Sequence, residues 1–301
     1  MLNRRDALKL GAVSALGLTQ TTLLASPWFS DAPRDPAAAE ALGFELGTQA
    51  WTFRDRSALE TLDIAKALGL KAIEFYPGQP LSTKSKDTKV GPDLSSSQRA
   101  DLLAAAKAAG ITPRAFGVLN PNKDEADTRR YFDFAKDLGI GIITCEPNPD
   151  AWPLVEKLAK EYKIKAACHN HPKPTRYWDP QVVLDSVKSL DASLGACADL
   201  GHWTRSALVA SDSLKKYEGR LISLHLKDIK EVKGEKIDQP WGTGDTGLAA
   251  CLRELRRQKF SGYMSVEYEH GSGPELEANV KKSIAFFDAT CAAILKDEKK
   301  P

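Results

Sequence analysis

The stretch WPLVEKLAKEYKIKAACHNH, residues 152–171, decides the fold. Its first half sets Trp152, Val155, Leu158, Ala159 and Tyr162 at three- and four-residue spacings, the period of a helix with one apolar face. Its second half, Ile164 to His169, is a short β-run that ends on chemically capable side chains. A helix feeding directly into a strand is one β/α unit, and the unit recurs along the chain. The β-runs are Phe44 to Ala50, Lys71 to Tyr76, Ile111 to Val118, Ile140 to Glu146, Ile164 to His169, Gly195 to Asp199, Leu221 to His225 and Gly262 to Glu267. Helical stretches lie between them, at Ala58 to Leu68, Ser96 to Ala109, Glu125 to Leu138, Trp152 to Tyr162, Pro180 to Leu190 and Leu248 to Gln258, with Glu275 to Leu295 last. Gly often closes a helix just before the next strand. Eight such units in about 250 residues predict an α/β fold, a single-domain (β/α)8 TIM barrel. A doubly wound open sheet is the weaker alternative, because the first turn lacks G-x-G-x-x-G and no G-x-x-x-x-G-K-[ST] occurs.

The chain has 301 residues, 42% of them apolar, which suffices for a large core. Lys plus Arg is 42 against 40 for Asp plus Glu, and beyond the first nine residues the two counts are 39 each. A balanced chain lacks the basic surplus that nucleic acid or an anionic membrane would draw on. The longest basic-leaning run, Lys296 to Lys300, reads as a solvated helix end. Neither a nucleic-acid partner nor a stable membrane association is expected, and a homo-oligomer is left open. A small-molecule substrate becomes the default.

Arg4 and Arg5 precede a mildly apolar stretch, Leu10 to Leu18, too short to span a bilayer. The pattern resembles a bacterial twin-arginine signal. It divides the chain into a signal peptide at 1–26 with a cut near Ala25, a linker at 27–42, the barrel at 43–296 and a charged tail at 297–301. The mature domain is expected to start near residue 40. The twin-arginine route carries folded proteins, so a metal could be loaded before export to the periplasm. The five cysteines, Cys145, Cys168, Cys197, Cys251 and Cys291, are odd in number and form no C-x-x-C. They read as buried thiols.

A parallel barrel builds its active site at the C-terminal ends of its strands. Those ends carry Glu74, Glu146, His169, Asp199, His225 and Glu267, while the strand starts are apolar or bland. All five histidines (His169, His171, His202, His225 and His270) fall between residues 169 and 270, four of them at or just past a strand end. Histidines and carboxylates converging on one barrel mouth suit one divalent metal with mixed nitrogen and oxygen ligands: Mn, Co, Zn, Fe or Mg.

Three motifs carry a family resemblance. Asp199-Leu200-Gly201-His202, Leu224-His225-Leu226-Lys227-Asp228 and Ser265-Val266-Glu267 resemble the D-x-x-H, H-x-x-D and V-E strand ends of the xylose-isomerase-like TIM barrels. That superfamily includes sugar epimerases, inosose dehydratases, dehydroshikimate dehydratases and endonuclease IV. Asp199 and His225 stand 26 residues apart, as in its epimerase-like members. The resemblance implies that Asp199, His225 and Glu267 are metal ligands from strands six, seven and eight. It puts His169 at the strand-five position where the epimerases have a Glu, with Glu146 as an alternative ligand one strand earlier. In the epimerases the strand-five and strand-eight glutamates are both ligands and the acid/base pair. Here Glu267 keeps that double role, and the second proton carrier falls to Glu146, His171 or His202.

Of the aromatic residues at strand ends and loops, Trp51, Phe53, Tyr76, Trp178, Trp203 and Trp241 either stack on sugar rings or pack under the loops, and Trp51, Trp203 and Trp241 are assigned to substrate. Glu74 and Asp228 join them. Arg205 and Lys227 either bind substrate oxygens or are simply solvated. The implied reaction is proton abstraction beside a sugar carbonyl through an enediolate, followed by epimerisation, isomerisation or elimination from a 3-keto-glycoside. Export favours an unphosphorylated sugar. A non-catalytic periplasmic sugar- or metal-binding protein is the alternative from another class. An endonuclease-IV-like site is disfavoured, since it needs histidines from strands two and three and none precedes residue 169.

Overall fold

A computed structural model describes residues 34–298. Eight parallel strands close into a barrel: β1 (Phe44–Gln49), β2 (Ala72–Phe75), β3 (Thr112–Leu119), β4 (Ile142–Cys145), β5 (Lys165–His169), β6 (Leu194–Asp199), β7 (Leu221–Leu226) and β8 (Gly262–Val266). Each strand pairs with its sequence neighbours, and β1 closes on β8 with Thr48 opposite Val266. Every expected strand is present within two residues of its expected bounds, and the eight close into a barrel where the weaker alternative had an open doubly wound sheet.

The helices begin where short polar side chains cap them. Ser57 with Glu60 and Ser95 with Gln98 form capping boxes ahead of Ala58–Ala67 and Ser96–Ala109. Asp124 and Asp179 cap Glu125–Asp137 and Pro180–Val187. The helix Ser96–Ala109 stops at Gly110, whose φ of 73° is the left-handed conformation that favours glycine. Apolar helix faces pack outside the strands, with Phe116 of β3 against Phe134 at 4.7 Å between ring centroids. All five cysteines are buried. Burial pushes the Cys145 and Cys168 thiols far up, which suits inert core residues.

Several elements depart from the expected pattern. Residues 37–41, placed in the linker by sequence, form the helix Ala37–Ala41, and Arg34 just before it makes a bidentate pair with Asp288 of the last helix. That last helix, Gly273–Glu298, extends into the stretch read as a charged tail. The segment after β6 holds two short helices, Leu200–Arg205 and Ala210–Lys216. Two antiparallel ribbons, Pro80–Ser82 with Ser85–Lys89 and Ile229–Val232 with Glu235–Asp238, are inserted after β2 and β7, at the end of the barrel where the site lies. The signal segment lies outside the described residues, and no described helix is long and apolar enough to cross a membrane.

Candidate metal centre

Four consecutive strands deliver one side chain each to the C-terminal mouth. His169 ends β5, Asp199 ends β6, His225 lies near the end of β7 opposite Asp199, and Glu267 follows β8 directly. All four are buried, and one donor atom from each lies within 4.8 Å of the others. His169 Nε2 is 3.5 Å from Asp199 Oδ2, His225 Nδ1 is 3.9 Å from the same oxygen, and His225 Nδ1 is 2.8 Å from Glu267 Oε2. These separations bracket the spacing of donor atoms around a divalent ion bound at about 2.1 Å.

The same four atoms, His169 Nε2, Asp199 Oδ2, His225 Nδ1 and Glu267 Oε2, are buried without a hydrogen bond. A buried polar atom without a hydrogen bond is costly and uncommon in a folded protein, and the Lys227 ammonium near the two carboxylate oxygens offsets only part of that cost. Four converging on one point are what a metal would satisfy, and their chemistry, two imidazoles and two carboxylates, fits a borderline or hard divalent cation.

The opposite nitrogen of each imidazole is held. His169 Nδ1 lies 2.9 Å from Glu146 Oε1, and His225 Nε2 lies 2.9 Å from Glu74 Oε2. Each carboxylate takes one ring nitrogen and turns the other into the cluster, the usual outer support of a metal-bound histidine. Asp199 is fixed from three sides. Its Oδ1 caps the next helix by accepting from His202 N at 2.8 Å, and Asn170 bonds both its N–H and its carbonyl. Burial works against charge on Asp199 and Glu267. Their surroundings outweigh it: the Lys227 ammonium and the His169 imidazole hold Asp199 well below the usual carboxylate range, and Lys227 and His225 hold Glu267 low.

Lys227 is fully buried and not a solvated loop charge. Its Nζ sits 3.0 Å from Asp199 Oδ2, 3.3 Å from Glu267 Oε2 and 3.1 Å from Glu269 Oε2, near enough for ion pairing. Burial disfavours its ammonium, but those carboxylates keep it protonated. Gly201 makes the room, since a Cβ there would lie 2.4 Å from Lys227 Cβ. Arg205 pairs with Asp238 at 2.7 Å and with Glu269 at 2.5 Å. His202 is buried between the two cations, 3.1 Å from each, and burial drives its pKa well down.

On the β4–β5 side, Glu146 Oε1 takes both His169 Nδ1 and His171 Nδ1. Against the cost of burial, these two bonds lower Glu146 to about 2. The His171 side chain is 43% exposed, its ring edge-on to His169 and stacked on His202, so it faces the mouth.

Several substrate assignments change. Trp203 is fully buried against Tyr217, at 5.3 Å between centroids, and Trp241 is buried against Phe287 with its backbone N–H donating to Ser283 Oγ. A ring without exposed surface has no face for a sugar, so both belong to the packing under the loops. Asp228 accepts the backbone N–H groups of Gly242, Gly244 and Thr246 and staples the loop after the second ribbon. Glu74 is wholly buried and serves His225. Phe53 is core, Trp178 stacks under Lys173 Nζ at 3.9 Å, and His270 is exposed and not among the grouped donors. Trp51 alone of the assigned tryptophans keeps exposed surface. The sequence reading missed Asn170, Asp238 and Glu269. Glu269 had a signal: it stands two residues past Glu267, the spacing that returns an extended chain to the same side.

The family model described as the xylose isomerase-like TIM barrel matches residues 62–290. An uncharacterised protein from Parabacteroides distasonis, solved as a crystal structure, is 34% identical, covers 81% of this chain and 98% of its own, and has a TM-score of 0.67. Two enzymes are similar in fold. D-psicose 3-epimerase from Clostridium cellulolyticum is 16% identical, with 84% of this chain and 97% of its own covered and a TM-score of 0.60. The probable 3-DHS dehydratase from Bacillus anthracis is 12% identical, with 81% and 98% covered and a TM-score of 0.62. No curated protein matches the chain.

Proposed function

The chain belongs to the xylose isomerase-like TIM barrel family, and from that premise we propose that it is a metal-dependent isomerase or epimerase that removes the proton beside the carbonyl of an unphosphorylated sugar. The observation that carries this reading is the set of four buried donor atoms without hydrogen bonds at the barrel mouth. A divalent ion held by His169, Asp199, His225 and Glu267 would polarise adjacent carbonyl and hydroxyl oxygens of the sugar and acidify the C–H between them.

The remaining steps fall to the chain. Glu267, kept ionised by Lys227 and His225, is the carboxylate placed to accept the proton. His169 has both ring nitrogens committed, one to Glu146 and one to the cluster, so it cannot carry a proton as well. His171 can: Glu146 holds its Nδ1 and leaves the other ring nitrogen toward the mouth. Lys227 and Arg205 are already paired with carboxylates, which supports a neutral sugar over a phosphorylated one.

A second reading is a lyase acting on a 3-keto-glycoside. It is favoured by the single carboxylate that is both candidate ligand and candidate base, because elimination needs one base beside the acidified carbon and no return of the proton to the opposite face. We also propose export by the twin-arginine route, on the strength of Arg4, Arg5 and the short apolar stretch after them.

The test uses metal-loaded protein in D₂O with a panel of keto-sugars and 3-keto-glycosides. Exchange of the hydrogen beside the carbonyl is expected, with an isomer, epimer or elimination product following. A broad panel with neither exchange nor product would overturn the reading in favour of a binding protein.

A further inference from the structure

Among the described residues, Trp51 is the one aromatic side chain among the exposed large apolar groups, at 41%. It is not a loose surface residue. Gln49 Oε1 accepts its backbone N–H at 3.0 Å while Gln49 Nε2 donates to Gly117 O at 3.2 Å, which ties the loop after β1 to β3. The ring meets Tyr76, itself 8% exposed, edge-on at 5.1 Å, and the Arg54 guanidinium lies 5.9 Å from its centroid.

The loop is also fastened to the reacting side of the barrel. Thr52 Oγ1 donates to Val266 O at 3.3 Å and accepts from Tyr268 N at 3.1 Å, so the residue next to Trp51 brackets Glu267. Arg54 Nη2 donates to Glu269 O at 2.8 Å, on the residue whose carboxylate reaches Lys227 and Arg205. A rigid ring held at the rim beside Glu267 gains contact only when something flat or ring-shaped covers it, and it loses little conformational freedom when that happens.

We propose that Trp51, backed by Tyr76 and Arg54, is a stacking subsite for the aglycone of a glycoside, so that the enzyme takes a glycoside with a ring-shaped aglycone in preference to a free sugar. The subsite rests on the proposed function only for the identity of the sugar at the metal centre. A ring-shaped aglycone is an aryl group or a second sugar, and both present a face to the indole.

The experiment measures binding, not turnover, and uses unreactive probes on the full chain with Mn²⁺: methyl β-glucoside, phenyl β-glucoside and methyl β-cellobioside, titrated by calorimetry. Phenyl β-glucoside, methyl β-cellobioside or both should bind about tenfold tighter than methyl β-glucoside, and which of them does so identifies the aglycone class. Trp51→Ala should erase the preference and Trp51→Phe should keep most of it. Equal affinities in the native protein, a preference that survives Trp51→Ala, or no binding of any probe at millimolar concentration would overturn the proposal. None of these probes carries a keto group, so failure here is separate from failure of the exchange test.

Discussion

Glu74 Oε2 lies 2.9 Å from Nε2 of His225, on the side of the ring away from the nitrogen that meets Glu267 at 2.8 Å. One carboxylate from β2 thus decides which nitrogen of a β7 histidine is offered to the cluster, across the barrel interior. Glu74→Gln keeps the shape but weakens that control. Metal affinity should fall about 10- to 100-fold, with the fold intact by circular dichroism. Unchanged affinity would show that the ring is oriented by its packing alone.

His225→Ala and Glu267→Gln address the cluster itself. Each should lower bound metal well below one ion per chain in elemental analysis, and each should lower activity. Metal should also stabilise the native protein, because an ion that binds only the folded state adds about 2.7 kcal/mol at a hundred times its Kd. Tm should therefore rise with added Mn²⁺ and fall with chelator, and the His225→Ala variant should lose that dependence. Full metal and activity in both variants would place the ion elsewhere.

Glu146 serves two histidines with one oxygen, one committed to the cluster and one open to the mouth. Glu146→Gln should lower turnover roughly a hundredfold, the usual scale for acid–base machinery. Measured at saturating metal, the loss should persist, because the His171 arm is not restored by filling the site. Recovery at high metal would confine Glu146 to holding His169.

The strand ends were legible because a parallel barrel puts every strand's C-terminus at one mouth, so the positions of His169, Asp199, His225 and Glu267 in sequence already implied their meeting. The helix after β6 shows where that logic stops. His202 ends a motif and Trp203 directly follows it, yet successive helical residues point about 100° apart: His202 turns toward the cluster and Trp203 into the core against Tyr217. Asp238 could not be found from sequence either. It reaches Arg205 only because an antiparallel ribbon after β7 folds back over the mouth, and a four-residue polar strand has too little pattern to announce such a return.

Export should depend on Arg4 and Arg5. Replacing both by Lys should leave folded, metal-competent protein in the cytoplasm, as read by cell fractionation. Undiminished periplasmic delivery of the doubly substituted protein would refute the twin-arginine assignment.

Lys227 gives the least intuitive expectation. Its ammonium is wholly buried and stands 3.0 Å from Asp199 Oδ2 and 3.3 Å from Glu267 Oε2, two of the atoms that would hold the ion. It therefore compensates their charge in the metal-free protein and repels a divalent cation in the loaded one. Lys227→Met retains the length of the side chain and removes the charge. Without metal, three carboxylates lose their buried counter-ion, and breaking such a pair costs about 3–5 kcal/mol. The melting temperature of the metal-free variant should drop accordingly. With metal the sign reverses: the dication takes over the compensation without a competing ammonium, so affinity for Mn²⁺ should rise and the gap in Tm between variant and native protein should narrow as metal is added. Activity should still fall, because Glu269 and Arg205 lose the partner that fixes them at the mouth. A variant that binds metal more weakly than the native protein would show that Lys227 organises the ligands more than it opposes the ion.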